Sequence, residues 1–415
     1  MEAKDVVIVA YGRSPLARDR KGSLAAMHPV EYASQVLNGV LARVPGLKAE
    51  EVEDVITGCA MQMREGAMNI SQLVVNRAGW PDCVSGMSIN RFCSSGLQSI
   101  ALAANAIAAG QGNCYFAGGV EDMSLTFRVW PSYNHECEDT WLQKNYPGAY
   151  MSMGETAENV AKDYDITREA MDAFAVESQK KAYAAQTAGK LAPSIIPILI
   201  TDNDGNPVLD ENGNKQWATK DESLRPNTTM ESLAGLKTCF IPEEQGGRVT
   251  AGTSSTTNDC AAYVCLMSAE FAAQKGIKPI ARLKSFAVAG CDATRMGLGP
   301  MFATPKAMER AGLTVADMDT IEINEAFASQ SMVCIDKLGF PMEKVNPYGG
   351  ALAMGHPLGC TGAVLVGKAL DRLREIDGKY ALVTMCIGGG MGAAGILERC
   401  EEDKGQSYPK CEPFC

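Results

Sequence analysis

Histidine and positive charge are both scarce in this sequence. Only 3 of its 415 residues are histidine, and the cysteines have no metal-type pair spacing apart from fortuitous ones, which argues against a metal centre. The 38 Lys and Arg residues against 49 Asp and Glu residues give a net charge of -11. That balance argues against a nucleic-acid or anionic-membrane surface, so local donors must hold any anionic ligand.

Long apolar runs are missing as well. None approaches the ~18 residues that a bilayer-spanning helix needs. The opening "MEAKDVVIVAYGRSP" lacks the basic, apolar and small-residue layout of a signal peptide, and the ending "YPKCEPFC" matches no sorting or lipidation signal. From these absences we expect a cytoplasmic protein that binds neither membrane nor nucleic acid.

Cysteine, in contrast, is plentiful. The 15 cysteines are odd in number and scattered from Cys59 to Cys415, which is typical of a reducing cytosol where thiols stay free. We expect Cys400, Cys411 and Cys415, in the polar tail, to be exposed and without function.

Two parts of the chain follow the same plan. A helical stretch after Cys93 leads to the strand-like, glycine-ended "CYFAGGVEDM", and a helical stretch after Cys360 leads, at the same spacing, to "ALVTMCIGGGMG". Upstream, "VEDVITGCA" resembles "MDTIEINEAFA", and "KDVVIVAYGRSP" resembles "KPIARLKSFAVAG". Strands that alternate with helices predict two similar α/β halves with a mainly parallel sheet.

The segment between the halves has a different character. Residues 154–190 have helical apolar spacing with Thr167 as a candidate N-cap, and residues 197–226 contain two Gly/Asn turn signals between short strand-like runs. We predict an N-terminal half at 1–122 and 257–279, an inserted loop domain at 123–256, a C-terminal half at 280–399 and a polar tail at 400–415.

Cys93, in "NRFCSSGLQSIALAANAIAAG", directly precedes an apolar helical run. At a helix N-terminus, free amides and the helix dipole stabilise a thiolate and lower its pKa, which favours a nucleophile. The alternative is a buried structural thiol, because free cysteine is among the most buried residue types.

Other reactive residues lie in glycine-rich stretches. His356 is the only histidine in such a stretch and is a candidate base or oxyanion donor for Cys93, whereas His28 and His135 are expected to be structural. Cys386 opens "CIGGGMGAA" and is a candidate second acid/base group, with unobstructed amides after it that suit an oxyanion hole. A tight turn or, less convincingly, a dinucleotide loop would also explain those glycines.

The segments "NRFCSSGLQ", "NEAFA", "GGALAMGHPLGCTGA" and "CIGGGMGAA" together resemble the signature set of the thiolase family. "SMGETAENVA", "RPNTTMESLAGLK" and "VTAGTSSTTNDCAA" are also similar to thiolase segments and occur in the same order. The resemblance implies a duplicated thiolase fold, with two similar α/β halves in a layered α/β/α/β/α core. Each half would have a mixed sheet, the two buried helices would stack centrally, and the loop domain would be inserted in the first half.

The resemblance also implies the chemistry, which is thiolytic cleavage of a 3-ketoacyl-CoA by CoA or the reverse Claisen condensation. Cys93 would carry the acyl group as a thioester, and His356 would activate its thiol. Cys386 would exchange a proton with the acetyl-CoA enolate. Asn324, through a water, would join His356 in one oxyanion hole, and the amides of Cys93 and Gly388 would form the other.

For substrate and CoA contacts, the resemblance implies five positions. Ser255 would lie near the pantetheine and Arg225 near the nucleotide, although Arg225 also fits a surface ion pair. Met153, Leu233 and Phe327 are the remaining candidates. The resemblance implies no permanently bound cofactor and no metal, with CoA as substrate and a homodimer or homotetramer as the assembly.

Two departures bear on the substrate. Acetoacetyl-CoA thiolases typically read "HMG" and "GNASG" where this chain has "SMG" from Ser152 and "GTSST" from Gly252, and "GTSS" is more like the degradative thiolases of fatty acid β-oxidation. We therefore expect a 3-ketoacyl-CoA thiolase, with an acetoacetyl-CoA thiolase as the alternative. The turn-rich stretch from Asp204 to Asn214 is longer than expected of the family.

Enzymes and binding proteins of other classes fit less well. Decarboxylating ketoacyl synthases need a second histidine in the C-terminal half, chalcone-synthase-like enzymes lack the "CIGGGMG" cysteine, and a non-catalytic acyl-CoA binder would have lost a reactive residue. An oxidoreductase would need a glycine loop early in a βαβ unit, and this chain has none.

Overall fold

The computed structural model describes residues 4–126 and 138–404. The strands of this part of the chain are β1 (Val6–Arg13), β2 (Ala17–Arg18), β3 (Asp54–Gly58), β4 (Ser85–Ile89), β5 (Cys114–Glu121), β6 (Ile198–Leu199), β7 (Trp217–Ala218), β8 (Asn258–Ser268), β9 (Ala281–Gly290), β10 (Thr320–Ile323), β11 (Tyr380–Ile387) and β12 (Met391–Arg399). The helices are α1 (Pro29–Ala42), α2 (Ile70–Arg77), α3 (Ser95–Ala108), α4 (Thr140–Asn145), α5 (Met153–Asp163), α6 (Arg168–Thr187), α7 (Met230–Ala234), α8 (Ala269–Lys275), α9 (Gly299–Ala311), α10 (Ala328–Leu338), α11 (Ala351–Met354) and α12 (Thr361–Glu375).

The duplicated plan is confirmed by the strand order. One half of the sheet runs β4-β3-β5-β8-β1 and the other runs β9-β12-β11-β10, so β3 corresponds to β10, β5 to β11 and β1 to β9. The halves join where Ile8 of β1 pairs with Ala281 of β9. An isolated parallel bridge between Ile321 and Val345 occupies the position that β4 has in the first half.

The expectation of a mainly parallel sheet is wrong. Only β3-β4, β3-β5 and β10-β11 are parallel pairs in the described chain, while β8 and β12 run antiparallel to both of their neighbours. The reason is local: a tight turn after Ile387 returns the chain as β12, and β8 enters the sheet from the inserted segment. The sheet is therefore mixed in each half, as the family resemblance implied.

Three apolar clusters define the layers. One packs α1 and α2 on the outer face of the first half-sheet, and another packs α9 and α10 on the outer face of the second. Between the half-sheets lie α3 and α12, which share the central cluster with strands of both halves. Their backbones come very close, since a Cβ added at Gly96 would lie 2.9 Å from the Ala363 nitrogen and one at Gly362 would lie 2.3 Å from the Leu97 nitrogen.

The inserted segment combines helices with a short hairpin. The hydroxyl of Thr167 accepts from the Ala170 amide at 3.2 Å and caps α6, as predicted. The short strands β6 and β7 pair, and bridges Thr201–Pro207 and Leu209–Lys215 close the two predicted turns. The β excursion that the turn signals indicated is therefore present.

Other expectations about single residues have mixed outcomes. His28 is exposed and caps α1, because its Nδ1 accepts from the Val30 amide at 3.3 Å, whereas His135 lies outside the described residues. The expectation that Cys400 is exposed is wrong. It is buried, and its amide donates to Ile280 O at 2.8 Å because the chain stays against β9 after β12 ends. Cys411 and Cys415 lie outside the described residues.

None of the helices in the described ranges combines the length and the apolar character that crossing a bilayer requires.

Candidate active site

Cys93 lies in a strained turn between β4 and α3. Residues Phe92–Ser94 form a 3-10 turn directly before α3, and Phe92 has a φ of 44°, which is unusual for a residue with a side chain. The Phe92 amide donates to Asn90 Oδ1 at 2.8 Å, and its carbonyl accepts from Ser95 Oγ at 2.7 Å. These bonds hold the turn in a conformation that the isolated chain would avoid.

The thiol of Cys93 is buried but has donors directed at it. Burial raises its pKa to about 11, while the amides of Gly388 and of Cys93 itself act in the opposite direction. The expectation of a lowered pKa from the helix N-terminus is therefore wrong for the resting protein, since desolvation outweighs the amides. Cys93 is a neutral thiol at pH 7 and needs a base.

His356 has the properties of such a base. It is 4% exposed, and burial lowers its pKa to about 4, so the ring is neutral at pH 7. Its backbone amide donates to Thr256 O at 2.8 Å, and its Nδ1 lies 2.6 Å from Thr361 Oγ1. The turn Leu358–Cys360, which follows His356, packs against the turn that carries Cys93.

Asn324 contacts the other ring nitrogen of His356. Its Nδ2 lies 3.3 Å from His356 Nε2. An amide N–H can only donate, so in this orientation Nε2 is the acceptor and the ring proton lies on Nδ1, facing Thr361. Asn324 is fully buried, and its Oδ1 has no partner among the described residues, which leaves an acceptor for a ligand in the site.

Cys386 and Gly388 come from the end of β11 and the turn after it. Burial raises the pKa of Cys386 well above its usual value, and Cys93 contributes to this shift, so the two thiols lie within electrostatic reach. A side chain at Gly388 would meet Met153 Sδ at 3.4 Å and the Phe92 ring at 3.8 Å. The amide of Gly388 therefore lies between Cys93 and an apolar wall.

The predicted substrate contacts are only partly brought together. Ser255 donates its amide to Ala326 O at 2.9 Å, which places its segment alongside that of Asn324. Leu233 and Phe327 are buried in one apolar cluster with Cys386. Arg225 is exposed, and its amide donates to Gln179 Oε1 at 2.8 Å, which fixes its backbone.

Several residues near the site were missed by the sequence reasoning. Phe92 directly precedes Cys93, and Thr361 follows His356 by five residues in the same glycine-rich stretch, so their position in the quoted motifs was the available signal. Phe240 packs edge-on against Phe327 at 5.9 Å, and a Cβ at Gly154 would strike its ring, but nothing in its local sequence marked it. Glu121 ends β5 and binds the turn before α12 through Gly359 at 2.6 Å.

A duplicated α/β enzyme with two buried thiols, a neutral histidine and backbone donors is the class that this fold and site define. Such a site can transfer an acyl group through a thioester and move a proton to or from carbon.

Comparison with known proteins narrows this class. The family model for the thiolase N-terminal domain matches residues 6–270, and the thiolase C-terminal domain model matches residues 277–399. The chain is 42% identical to a 3-ketoacyl-CoA thiolase of Bacillus subtilis, over 96% of this chain and 100% of that protein. It is also 42% identical to the 3-oxoadipyl-CoA/3-oxo-5,6-dehydrosuberyl-CoA thiolase of Escherichia coli, over 93% of this chain and 97% of that protein.

A solved structure gives the same result. The acetyl-CoA acetyltransferase of Bacillus anthracis superposes with a TM-score of 0.85 at 37% identity, covering 96% of this chain and 100% of that one. The chain belongs to the thiolase family and is an acyltransferase.

Proposed function

We propose that this protein is a 3-ketoacyl-CoA thiolase that cleaves its substrate with CoA to give acetyl-CoA and a shortened acyl-CoA. The observation that carries the proposal is the convergence of Cys93, Cys386 and the Gly388 amide. With two thiols in one site, Cys93 can take the acyl group while Cys386 gives a proton to, or takes one from, the substrate carbon.

In the first half-reaction, His356 Nε2 takes the proton of Cys93, and the thiolate attacks the 3-keto carbon. The amides of Cys93 and Gly388 bind the oxyanion that forms on this carbon. Collapse breaks the bond between C2 and C3 and leaves an acyl-Cys93 and the enolate of acetyl-CoA. Cys386 donates its proton to C2 of that enolate.

The proton positions agree with these roles. Burial raises the pKa of Cys386 well above its usual value, so it is a thiol at pH 7 and has a proton to give. Once His356 carries a proton on Nε2, this N–H and the Asn324 amide are both donors and can bind the enolate oxygen. In the second half-reaction, the thiol of CoA attacks acyl-Cys93, and its proton passes to Cys386, which had given its own proton to C2. Cys93 leaves as a thiolate and takes back its proton from His356.

CoA is a substrate in this proposal, and no permanently bound cofactor is required. We propose that the inserted segment at residues 123–256 contacts it, with Ser255 at the pantetheine and Arg225 at the nucleotide. Met153, Leu233 and Phe327 line the apolar part of the site. The exposure of Arg225 and the position of Ser255 beside the Asn324 segment support this arrangement.

We propose that the protein acts in the cytoplasm as a homodimer or homotetramer. β4 is the edge strand of the first half-sheet in the described chain, and two apolar side chains near it are exposed, Met87 at 40% and Met68 at 85%. An unpaired edge with exposed apolar residues favours pairing with a second copy. Light scattering at micromolar concentration should show a dimer or tetramer, and Met87→Lys should weaken it.

The test of the activity is a thiolysis series. CoA-dependent cleavage is measured with 3-ketoacyl-CoA esters of four to sixteen carbons and with 3-oxoadipyl-CoA, and Cys93→Ser is the paired variant. We expect cleavage to extend beyond the four-carbon ester and to be lost in the variant. Cleavage confined to acetoacetyl-CoA would instead support the acetyl-CoA acetyltransferase function that the Bacillus anthracis structure represents.

A further inference from the structure

Glu121 is a buried carboxylate at the end of β5 that the proposed mechanism does not use. It is 1% exposed, and no ion pair to it occurs in the described chain. Backbone amides bind it instead: Oε2 accepts from Ala60 at 2.9 Å and from Gly359 at 2.6 Å, and Oε1 accepts from Met61 at 3.0 Å. Burial raises its pKa to about 7, because the charged form is costly to bury, and the three amides act against this shift.

One of these bonds leads to the nucleophile turn. Glu121 holds the Ala60 amide, and the Ala60 carbonyl accepts from Asn90 Nδ2 at 2.9 Å. The Oδ1 of Asn90 in turn accepts from the Phe92 amide at 2.8 Å. Phe92 has the strained positive φ that places Cys93, so this chain of bonds ends at the residue next to the nucleophile.

A second bond leads to the base. Gly359 lies in the turn Leu358–Cys360, between His356 and α12, and a Cβ at Gly359 would meet the Ala60 nitrogen at 2.6 Å and Glu121 Oε2 at 2.9 Å. Thr361, two residues further on, contacts His356 Nδ1. The carboxylate therefore joins the turn that follows the base to the loop that supports the nucleophile.

We propose that Glu121 is a positioning residue that fixes the Cys93 turn of the first half against the His356 turn of the second half. It touches no reacting atom. One carboxylate accepts amides from both sides, so the two turns cannot shift independently without leaving a buried charge partly unbound. The inference rests on the proposed function only in the thiolysis measurement, because the alkylation measurement needs no substrate.

The charge of Glu121 provides a readout that a purely structural role would not change. After burial, the Glu121 carboxylate contributes to the raised pKa of Cys93. The Glu121 charge also contributes to the raised pKa values of Cys59, Cys360 and Tyr32, and the carboxyl of Asp122 follows it directly in the chain. A neutral side chain at this position should therefore make Cys93 ionise more readily while misplacing it for catalysis.

The experiment compares Glu121→Gln with Glu158→Gln. Glu158 is a control for the loss of a buried carboxylate, because it also accepts backbone amides, from Arg248 at 2.8 Å and Val249 at 2.9 Å, but these bonds reach neither the Cys93 turn nor the His356 turn. Each variant is tested for thiolysis kinetics and for the rate at which iodoacetamide alkylates Cys93 at pH 8, located by peptide mass spectrometry.

For Glu121→Gln we expect kcat to fall about 10- to 100-fold with a smaller change in KM, because the two turns are no longer held in one geometry. Alkylation of Cys93 should become faster, while buried Cys114 and Cys265 stay unmodified, which shows that the fold persists. Glu158→Gln should change neither kcat nor the alkylation of Cys93 to this extent. Equal effects in both variants, or none in Glu121→Gln, would overturn the proposal.

A second variant separates the positioning effect of Glu121 from the effect of its charge. It also tests the proposal if Glu121→Gln does not fold. Asn90→Ala breaks the link from Ala60 to Phe92 and leaves the carboxylate in place. It should lower kcat but leave the pH dependence of Cys93 alkylation unchanged. An unchanged kcat in Asn90→Ala would also count against the proposal. If the parent protein cleaves no 3-ketoacyl-CoA, the proposed function fails, yet faster alkylation of Cys93 in Glu121→Gln than in Glu158→Gln still shows that the Glu121 charge acts on Cys93. Equal alkylation rates would still overturn the inference.

Discussion

Thr361 Oγ1 lies 2.6 Å from Nδ1 of His356, while Asn324 contacts the opposite ring nitrogen. The imidazole is thus held at both ring nitrogens. Thr361 lies five residues further along the chain, and Asn324 lies in a different loop. This arrangement fixes which nitrogen is available to the substrate, and it leads to a first prediction.

Replacing Thr361 with valine removes the partner of Nδ1 without changing the shape of the side chain. We expect kcat for thiolysis to fall about 10- to 100-fold, because the ring loses its fixed orientation and its proton on Nδ1 loses its acceptor. Thr304→Val is the control, since Thr304 Oγ1 also makes a buried bond, at 3.1 Å to Thr384, away from His356. A similar loss of kcat in both variants would contradict an orienting role for Thr361.

Cys386 should matter more for the carbon chemistry than for acyl transfer. In Cys386→Ser we expect thiolysis to fall by about 10³-fold or more, because the enolate loses its proton donor. Acetylation of Cys93 by acetyl-CoA, followed by mass spectrometry, should be slowed much less, because in this step Cys386 exchanges a proton only with the CoA sulfur, which can leave as a thiolate. Cys334→Ala, another buried thiol of the same half, should keep both activities. Loss of acetylation in Cys386→Ser would argue against this division of roles.

Asn324 should act mainly in the transition state. We expect Asn324→Ala to lower kcat by about 10²–10³-fold, which is typical for the loss of one oxyanion donor, with little change in KM. Steady-state thiolysis kinetics measure both quantities. An increase in KM with kcat retained would show instead that Asn324 contributes to ground-state binding of the substrate.

The resting thiol makes a prediction about pH. Burial raises the pKa of Cys93 to about 11 and lowers that of His356 to about 4, so between these values both groups are neutral and the thiolate fraction grows with pH. The rate of Cys93 alkylation should therefore rise about tenfold per pH unit from pH 7 to pH 9.5 without a plateau. A plateau below pH 8 would mean that Cys93 and His356 form a thiolate–imidazolium pair at rest.

The sequence predicted the reactive residues of the site, because each lies in a glycine-rich stretch or at the end of a helix or strand. Such features can be recognised from a few neighbouring residues. Cys93 before a helical run, His356 in a glycine-rich stretch and Cys386 at a strand end could all be found by reading along the chain. The duplication could also be predicted, since the spacing from Cys93 to Cys114 repeats from Cys360 to Ala381. These roles remain predictions until the variants are measured.

Electrostatics was where local reasoning failed. A helix N-terminus predicts a lowered thiol pKa, yet Cys93 is shifted upward because neighbouring elements bury it. The same applies to sheet direction: alternating strands and helices predicted parallel pairs, but β8 and β12 return antiparallel. Burial and pairing depend on what packs against a segment, and a single segment does not contain that information.

The sequence by itself determined which residues can react, where the helices and turns that carry them begin, and that the chain repeats one α/β plan. Only the tertiary structure decided that Asn324 contacts His356, that the Gly388 amide is directed at Cys93, and that Glu121 joins both turns. Composition and periodicity act over a few residues. These contacts join residues that are at least 32 positions apart, and two of the three join opposite halves, so they exist only once the two halves have packed on α3 and α12.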